Sequence, residues 1–460
     1  MIDIKLIREN PELVRKNLKN RGMSEKSLDE LLVLDKEWRE LKQKNDRLRA
    51  ERNKISEEIN QAKKQKNNKK AEELIKKAQE IPQKIADNEK GLSELEEKRD
   101  YLWRELPNIA DKRIPVGDAS KNKVIKIYGK PTKFKFKVKD HADLLEALDL
   151  LDTKKAAEVS TSRFYYLKGD LVKLNYALIN FAIDFIRKKG FMMIQPPFML
   201  RRDILAGAMP LGTFEGAIYK IDGEDLYLIG TSEHALNAYY VNETLAEKKL
   251  PIRLSGISTC FRKEAGTHGK DEKGIFRVHQ FEKVEQFVFC KPEDSWKEFD
   301  FLLNNSIEIF KALKIPFRTV DLSTGDITRV ATRTVDLEGW FPSQNTYREL
   351  GSCSNCLDYQ ARRSNIRYQD KSELKFVYTL NNTAIATERM IACLVENNQQ
   401  KDGSIKVPKA LWKYTGFKEI KAEKKKEKKE KKKSNKKVKK KIKIIKKKRA
   451  RKENKKAKKK

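Results

Sequence analysis

Two runs of apolar residues at alternating spacings of three and four, separated by a polar stretch, constrain this 460-residue chain more than any other feature. The first is Leu34, Trp38, Leu41, Asn45, Leu48, Ile55, Ile59 and Ala62, interrupted at Arg52. The second is Leu74, Ala78, Ile81, Ile85, Asn88, Leu92, Leu95, Leu102 and Leu106. Such a seam is buried only against another helix. With residues 65–70 polar enough to be a tip, the pattern predicts an antiparallel coiled-coil hairpin whose return helix Pro82 kinks locally. About 30 residues per helix at about 1.5 Å each make an arm roughly 45 Å long. That is too thin to hold an active site, so the arm must act by reaching. Arg47, Arg49, Arg52, Lys54, Lys63, Lys64, Lys66, Lys69 and Lys70 gather toward the tip and suit phosphate contact, although charges that only keep a coiled coil soluble would look alike. Ahead of the arm, Asn10-Pro11-Glu12 starts a short capping helix and Gly22 ends it.

Charge is unevenly placed. The chain carries 102 Lys plus Arg against 67 Asp plus Glu, a net +35, and residues 418–460 alone hold 27 Lys plus Arg and 5 Glu. The tail therefore accounts for +22 and the rest for a moderate +13. A segment with so few apolar residues cannot offset its ordering entropy by burial, so residues 418–460 are expected to be disordered, and either attracted to phosphate backbones or solvated without a dedicated partner. Cys260, Cys290, Cys353, Cys356 and Cys393 make an odd count without the spacing of a secreted disulfide scaffold. No stretch approaches about 18 apolar residues, and the N-terminus is charged from Asp3, so neither a membrane span nor a signal peptide is expected. A soluble cytoplasmic protein with no membrane partner follows as the expectation.

Pattern changes divide the chain into residues 1–110 with the arm, a basic connector rich in β-formers over 111–139, a mixed α+β core over 140–417, and the tail 418–460. Within the core, helices are expected from Leu144 to Glu158 and from Leu171 to Lys189, with a strand and turn over Arg163-Phe-Tyr-Tyr-Leu-Lys-Gly169 between them.

The chemistry concentrates in two places. Ser258-Thr-Cys-Phe-Arg262-Lys-Glu264 and Arg277-Val-His-Gln-Phe281-Glu-Lys-Val-Glu285-Gln-Phe287 alternate in polarity around Gly266, Gly269 and Gly274, which predicts two strands joined by a long, mobile, charged loop. Such a hairpin would present Arg262, Glu264 and Arg277 to a nucleotide, since a guanidinium binds phosphate bidentately and stays charged. Arg389 opens the apolar helical run Met390 to Val395, which would bury the helix while its guanidinium points to a cleft. Cys353-Ser-Asn-Cys356 has zinc-knuckle spacing but is a single pair, so buried metal-free thiols and no zinc are expected. His234, His268 and His279 read as packing or hydrogen-bonding residues.

Three blocks together resemble the signature motifs of class II aminoacyl-tRNA synthetases: Gly190-Phe-Met-Met-Ile-Gln-Pro-Pro197, Phe261-Arg262-Lys-Glu264, and Leu380-Asn381-Asn382-Thr383 through Arg389. The Arg277-Val-His-Gln-Phe281 ending narrows the resemblance to seryl-tRNA synthetases, over residues 1–417. Asn-Thr-Ala-Ile-Ala at 382–386 is similar to archaeal and eukaryotic members, where bacterial ones place glycine and serine at 382 and 383. Thr231-Ser232-Glu233 replaces a more usual Thr-Ala-Glu.

The resemblance implies an antiparallel sheet flanked by helices, a homodimer formed through the first motif, and an arm that grips the long variable arm of tRNA(Ser). It implies ATP-dependent activation of L-serine to seryl-adenylate and transfer to the 3′ end of that tRNA, with tRNA(Sec) an open second acceptor. Arg262 and Arg389 would be catalytic, Arg262 on the α-phosphate and the reacting carboxylate, Arg389 on the γ-phosphate and one face of the adenine. Phe281 would cover the other face, Glu264 and backbone near Val278 would read the base, and Lys263, Leu350 and Gly351 would complete the ATP site. Glu349 and Ser352 would hold Mg²⁺ with ATP, as hard oxygen donors suit it. Serine would be bound by Thr231, Ser232, Glu233, Arg262, Glu285 and Thr383, since buried polar partners left unpaired by alanine select a hydroxyl. A ligase of the same core acting on a carrier protein and an inactive RNA-binding paralogue are the alternatives. The tRNA-gripping arm speaks against the first, and the joint presence of Arg262, Glu264, Glu285, Glu349 and Arg389 against the second.

Overall fold

Asn10 accepts a hydrogen bond from the Leu13 N–H (3.2 Å) and Pro11 fills the first helical position, so the chain turns from α1 (Ile4–Glu9) directly into α2 (Pro11–Asn20). Gly22, in the left-handed region at φ 67°, then releases it toward the arm. The computed structural model describes residues 1–210, 212, 216–264 and 273–421.

The outgoing helix α3 (Lys26–Lys64) has 39 residues. At about 1.5 Å per residue it spans about 58 Å, longer than expected because it starts at Lys26 rather than at Leu34. The tip occupies residues 65–67, with Lys66 left-handed at φ 55° and the Asn67 side chain accepting from the Lys70 N–H at the start of α4 (Asn68–Gln79). The return limb differs from the expected single kinked helix. It breaks at Glu80, and α5 (Ile81–Glu105) restarts with Pro82 in its first turn, where a missing N–H leaves no bond unmade. Ile81 and Ile85 still pack with Ile55 and Leu74, so the seam crosses the break intact. At the base of the arm, buried Asp35 receives Arg8 in a two-pronged pair (2.8 and 2.7 Å) and Arg39 at 3.0 Å.

An eight-stranded sheet organises the core. Its strands are β1 (Lys123–Tyr128), β2 (Met192–Ile194), β3 (Ile252–Phe261), β4 (Gln280–Cys290), β5 (Phe317–Asp321), β6 (Arg333–Phe341), β7 (Thr346–Leu357) and β8 (Tyr378–Ala386). They lie in the order β1-β5-β6-β7-β8-β4-β3-β2, antiparallel throughout except for the edge pair β2 and β3. The connector thus contributes an edge strand, β1. On one face the apolar stripes of α6 (Asp170–Lys188), α8 (Ser295–Ala312) and α9 (Thr387–Asn398) join one large core, including Leu171, Leu178, Phe299, Phe310, Met390 and Leu394. Near the other edge α7 (Ser232–Ala238) packs Leu236 with Leu254, Phe287 and Phe289.

The helix expected over Leu144–Glu158 is two, His141–Ala147 and Thr153–Val159. Asp149 turns left-handed (φ 60°) and Asp152 caps the second helix by accepting from the Lys155 N–H at 2.8 Å, local bonds that outcompete helix continuation. The tail boundary also shifts. Strand Glu419–Ile420 pairs with Ile405–Lys406 and Ile420 is fully buried, so regular structure passes residue 417 on one apolar anchor that the surrounding lysines hide. The rest of the expected disordered tail, from 422, and the expected mobile loop at 265–272 lie outside the described residues. Among the described residues no helix is long and apolar enough to cross a membrane.

Candidate active site

The two central pairings β7–β8 and β8–β4, the return limb of the Arg262 hairpin and the first turn of α9 line a cleft. Arg262, Glu264, Arg277, Lys283 and Arg389 supply its charge, with Phe276, Val278 and Phe281 on one wall. Glu349, Leu350 and Gly351 from β7, Thr383 and Ala386 from β8, and Glu388 from α9 line the remainder.

Arg262 leaves the end of β3 with its Nε donating to the Gly230 carbonyl (3.1 Å) and its guanidinium 5.1 Å from the Phe281 ring centre. Its backbone N–H donates to His279 O (2.9 Å), and the His279 ring lies 2.9 Å from Arg262 O, so the two strands are clamped where the loop departs. Glu264, left-handed at φ 47°, forms an ion pair with Arg277 at 3.0 Å. On the return limb, the Ile275 N–H donates to His141 Nε2 (3.2 Å), while His141 Nδ1 lies 3.3 Å from Glu396 Oε1.

Arg389 pairs with Glu349 at 2.9 Å, and this nearby guanidinium holds the Glu349 carboxyl below the usual carboxylate range although part of the side chain is open to the cleft. The ring beneath Arg389 is Phe276, at 5.3 Å, and Arg348 lies 4.2 Å from the same ring. The structure thus shows two stacks, Arg262 on Phe281 and Arg389 on Phe276.

At the cleft floor Lys283 and Glu285, two apart on β4 and so on one face, form a buried ion pair. Burial raises the Glu285 carboxyl, while Lys283, Arg262 and a hydrogen bond from Thr383 pull it back. Glu233 receives Gln360 Nε2 (2.7 Å) and Asn381 Nδ2 (3.1 Å) on one oxygen, and Gln360 is oriented by Thr379 (2.7 Å). Burial and then Glu285 push the Glu233 carboxyl up to about 7. Thr231 caps α7, its hydroxyl accepting from the Glu233 N–H at 3.2 Å. Burial lowers His234 to about 3, so it is neutral and packs.

Two candidates sit elsewhere. Ser232 is fully buried with its Oγ donating to Gly256 O at 3.3 Å, and it packs so closely there that a Cβ at 256 would meet that Oγ at 2.5 Å. Its hydroxyl makes the α7–sheet contact. Lys263 is absent from the cleft wall: its backbone pairs with Ala217 O (2.8 Å) and its Nζ lies over Tyr219.

For a hard cation, Ser352 bonds Glu349 (3.4 Å) and Asp336, whose other oxygen is buried without a partner. Burial, and then Glu349, raise the Asp336 carboxyl well above its ordinary value. This oxygen-only set fits Mg²⁺ shared with phosphate oxygens. Gly351 lets β7 lie close to β8 beside it, where a Cβ would meet Thr383 at 3.0 Å. Cys353 and Cys356 are buried and contact different partners, Phe299 O (3.8 Å) and Asn381 Nδ2 (3.7 Å). Among the described residues no cluster of three or more His, Cys, Asp or Glu side chains is arranged to hold a metal.

Sequence reasoning missed Phe276, Asp336, Gln360, His141 and Glu388. Phe276 and Glu388 each adjoin a residue that was identified, Arg277 and Arg389, which was the signal available. The others come from distant segments and carried none.

An antiparallel sheet with one arginine at a strand end and another at the start of the helix after β8, converging on a cleft beside hard oxygen donors, defines a class II aminoacyl-tRNA synthetase core. Residues 214–398 match the tRNA synthetase class II core domain (G, H, P, S and T), and residues 1–110 match the seryl-tRNA synthetase N-terminal domain. The chain is 49% identical to the serine–tRNA ligase of Thermococcus onnurineus over 91% of its own length and 97% of that protein. It is similar to the seryl-tRNA synthetase of Pyrococcus horikoshii solved with ATP (TM-score 0.87, 47% identity, 91% of this chain and 99% of that one). It also resembles the cytoplasmic serine-tRNA ligase of Naegleria fowleri solved with AMP (TM-score 0.80, 38% identity, 92% and 99%). The chain belongs to the seryl-tRNA synthetase family.

Proposed function

We propose that this protein activates L-serine with ATP and transfers the seryl group to the 3′ end of tRNA(Ser). The observation that carries the reading is that Arg262, Arg389, Glu349, Lys283 and Thr383 line one cleft, with Glu285 paired to Lys283. A carboxylate oxygen of serine attacks the α-phosphorus and pyrophosphate departs; a terminal ribose hydroxyl of the tRNA then attacks the seryl carbonyl and AMP departs. Both nucleophiles are supplied by substrates. The protein's contribution is positioning and charge, usually the largest catalytic effect.

In this reading Arg262 neutralises the α-phosphate and draws the serine carboxylate to it, and Arg389 takes the terminal phosphate. Glu264 and backbone at Val278 meet the adenine, while Phe281, Leu350 and Gly351 shape its slot. Glu349 and Ser352 would hold Mg²⁺, which would supply positive charge beside the phosphates. Glu233 and Glu285 receive the serine ammonium and hydroxyl, with Thr383 and Thr231 beside them. Alanine lacks the hydroxyl that would bond these polar groups and is rejected on that ground.

The arm is the tRNA-binding element and the protein is a cytoplasmic homodimer. Edge strand β2, with exposed Met192, and exposed Tyr176 on α6 support an isologous contact with a second copy. The length of α3 and the basic residues near its tip support contact with an RNA outside the reach of the core. Charging a serine tRNA with its long variable arm intact or removed tests the assignment: loss of charging on removal supports it, and equal charging of both contradicts the role of the arm.

A further inference from the structure

Glu388 is almost wholly buried at the start of α9, yet it lines the cleft. One oxygen accepts the Tyr165 hydroxyl at 2.5 Å; the other accepts the Glu282 N–H and the Thr387 hydroxyl, each at 3.0 Å. Glu282 follows Phe281, and Arg389 follows Glu388, so a single carboxylate joins the backbone behind one base-contacting ring to the helix turn that carries the arginine. The Glu282 side chain is itself turned aside to Asn175 (2.7 Å) and does not compete for these donors.

The third segment in this cluster is strained. Thr161 at φ 116° and Arg163 at φ 64° occupy conformations that side chains with a Cβ rarely adopt, and such residues persist where their surroundings over-determine them. What determines them here is contact with the same wall of the cleft: the His279 N–H donates to Arg163 O (3.2 Å), Phe164 lies against the His279 ring (5.2 Å), and Tyr165 reaches Glu388. His279 is in turn the residue that clamps Arg262.

We infer that Tyr165 and Glu388 are positioning residues for the nucleotide, a hydrogen-bonded pair that fixes the spacing between the Phe281 wall and Arg389 and so governs ATP binding with little effect on serine. The inference rests on the function proposed above. All three donors to Glu388 are satisfied at once only by the carboxylate, and glutamine, with one acceptor oxygen, cannot replace it. Tyr165→Phe removes one donor and leaves the carboxylate.

The test is ATP affinity by calorimetry together with Michaelis constants for ATP and serine in pyrophosphate exchange, on the full chain, for Tyr165→Phe, Glu388→Gln and the double variant. Each single variant is expected to weaken ATP by about tenfold, as for loss of one hydrogen bond to a charged group, with serine KM and kcat within about twofold. The double variant is expected to be no worse than Glu388→Gln, because the two groups act as one. Unchanged ATP affinity in folded single variants, or equal losses for ATP and serine, overturns the inference. Calorimetry reads ATP without the reaction, so an inactive wild-type protein that binds ATP would overturn the proposed function while leaving this pair testable.

Discussion

Arg389 Nη1 and Glu349 Oε1 lie 2.9 Å apart, joining the first turn of α9 to β7 across the floor of the nucleotide cleft. Each holds the other where phosphate and cation would meet: the guanidinium keeps Glu349 ionised, and Glu349 keeps the guanidinium aimed inward over Phe276. Removing the arginine therefore takes away a phosphate contact and also leaves a carboxylate unneutralised at the same spot. Arg389→Ala should lower serine-dependent ATP–pyrophosphate exchange by about 10²-fold or more, measured as kcat/KM. Exchange near the wild-type rate would remove Arg389 from the site.

Lys283 and Glu285 should be energetically inseparable. Lys283→Met leaves a buried carboxylate without its counter-charge and is expected to destabilise the fold by about 3–5 kcal/mol in urea unfolding. Lys283→Met combined with Glu285→Leu should recover most of that stability, since an apolar pair of similar volume packs in the same space. It should not recover serine-dependent exchange. A double variant as unstable as the single one would mean that the pair's surroundings, not its charge balance, set the cost.

Much of this architecture could be read from residue pattern. Leu74 to Leu106 kept its seam spacing through Pro82, and the structure keeps Ile81 and Ile85 buried there despite the helix break. Arg262, Glu264 and Arg389 stand out because charged side chains are unusual at the strand ends and helix start they occupy, whereas Glu285 and Thr383 are pointed to only by the resemblance to seryl-tRNA synthetases. What pattern could not convey was side-chain direction at short elements. Ser232 and Glu233 are adjacent, yet one faces Gly256 and the other Gln360, and only the approach of α7 to the sheet decides which. The turn at Asp149 and the anchor at Ile420 were hidden for a related reason: single residues with local partners outweigh the average character of their neighbours.

Burial pushes the Glu388 carboxyl up to about 7 from an ordinary 4.5, so between those values the folded protein binds a proton that the unfolded chain releases. The resulting contribution is complete below about 4.5 and is lost as pH rises through about 7, about 3 kcal/mol in all. Denaturant unfolding at pH 5 and pH 8 should show wild type losing more stability over that interval than Glu388→Gln. Identical losses would show that this carboxyl does not titrate in that window.

The lysine-rich segment should matter only to nucleic acid. Deleting residues 422–460, which spares the Glu419–Ile420 strand, should leave exchange unchanged and weaken tRNA binding mainly at low salt, with a shallower salt slope. An unchanged affinity and slope would exclude the tail from RNA binding.

The most direct test of the central claim is ATP–pyrophosphate exchange by the full chain against a panel of amino acids that includes alanine, threonine and glycine. The proposed serine site predicts exchange with serine and rejection of alanine, which has no hydroxyl to offer the polar groups at Glu285 and Thr383. Exchange driven equally by alanine, or no exchange with serine, would contradict it.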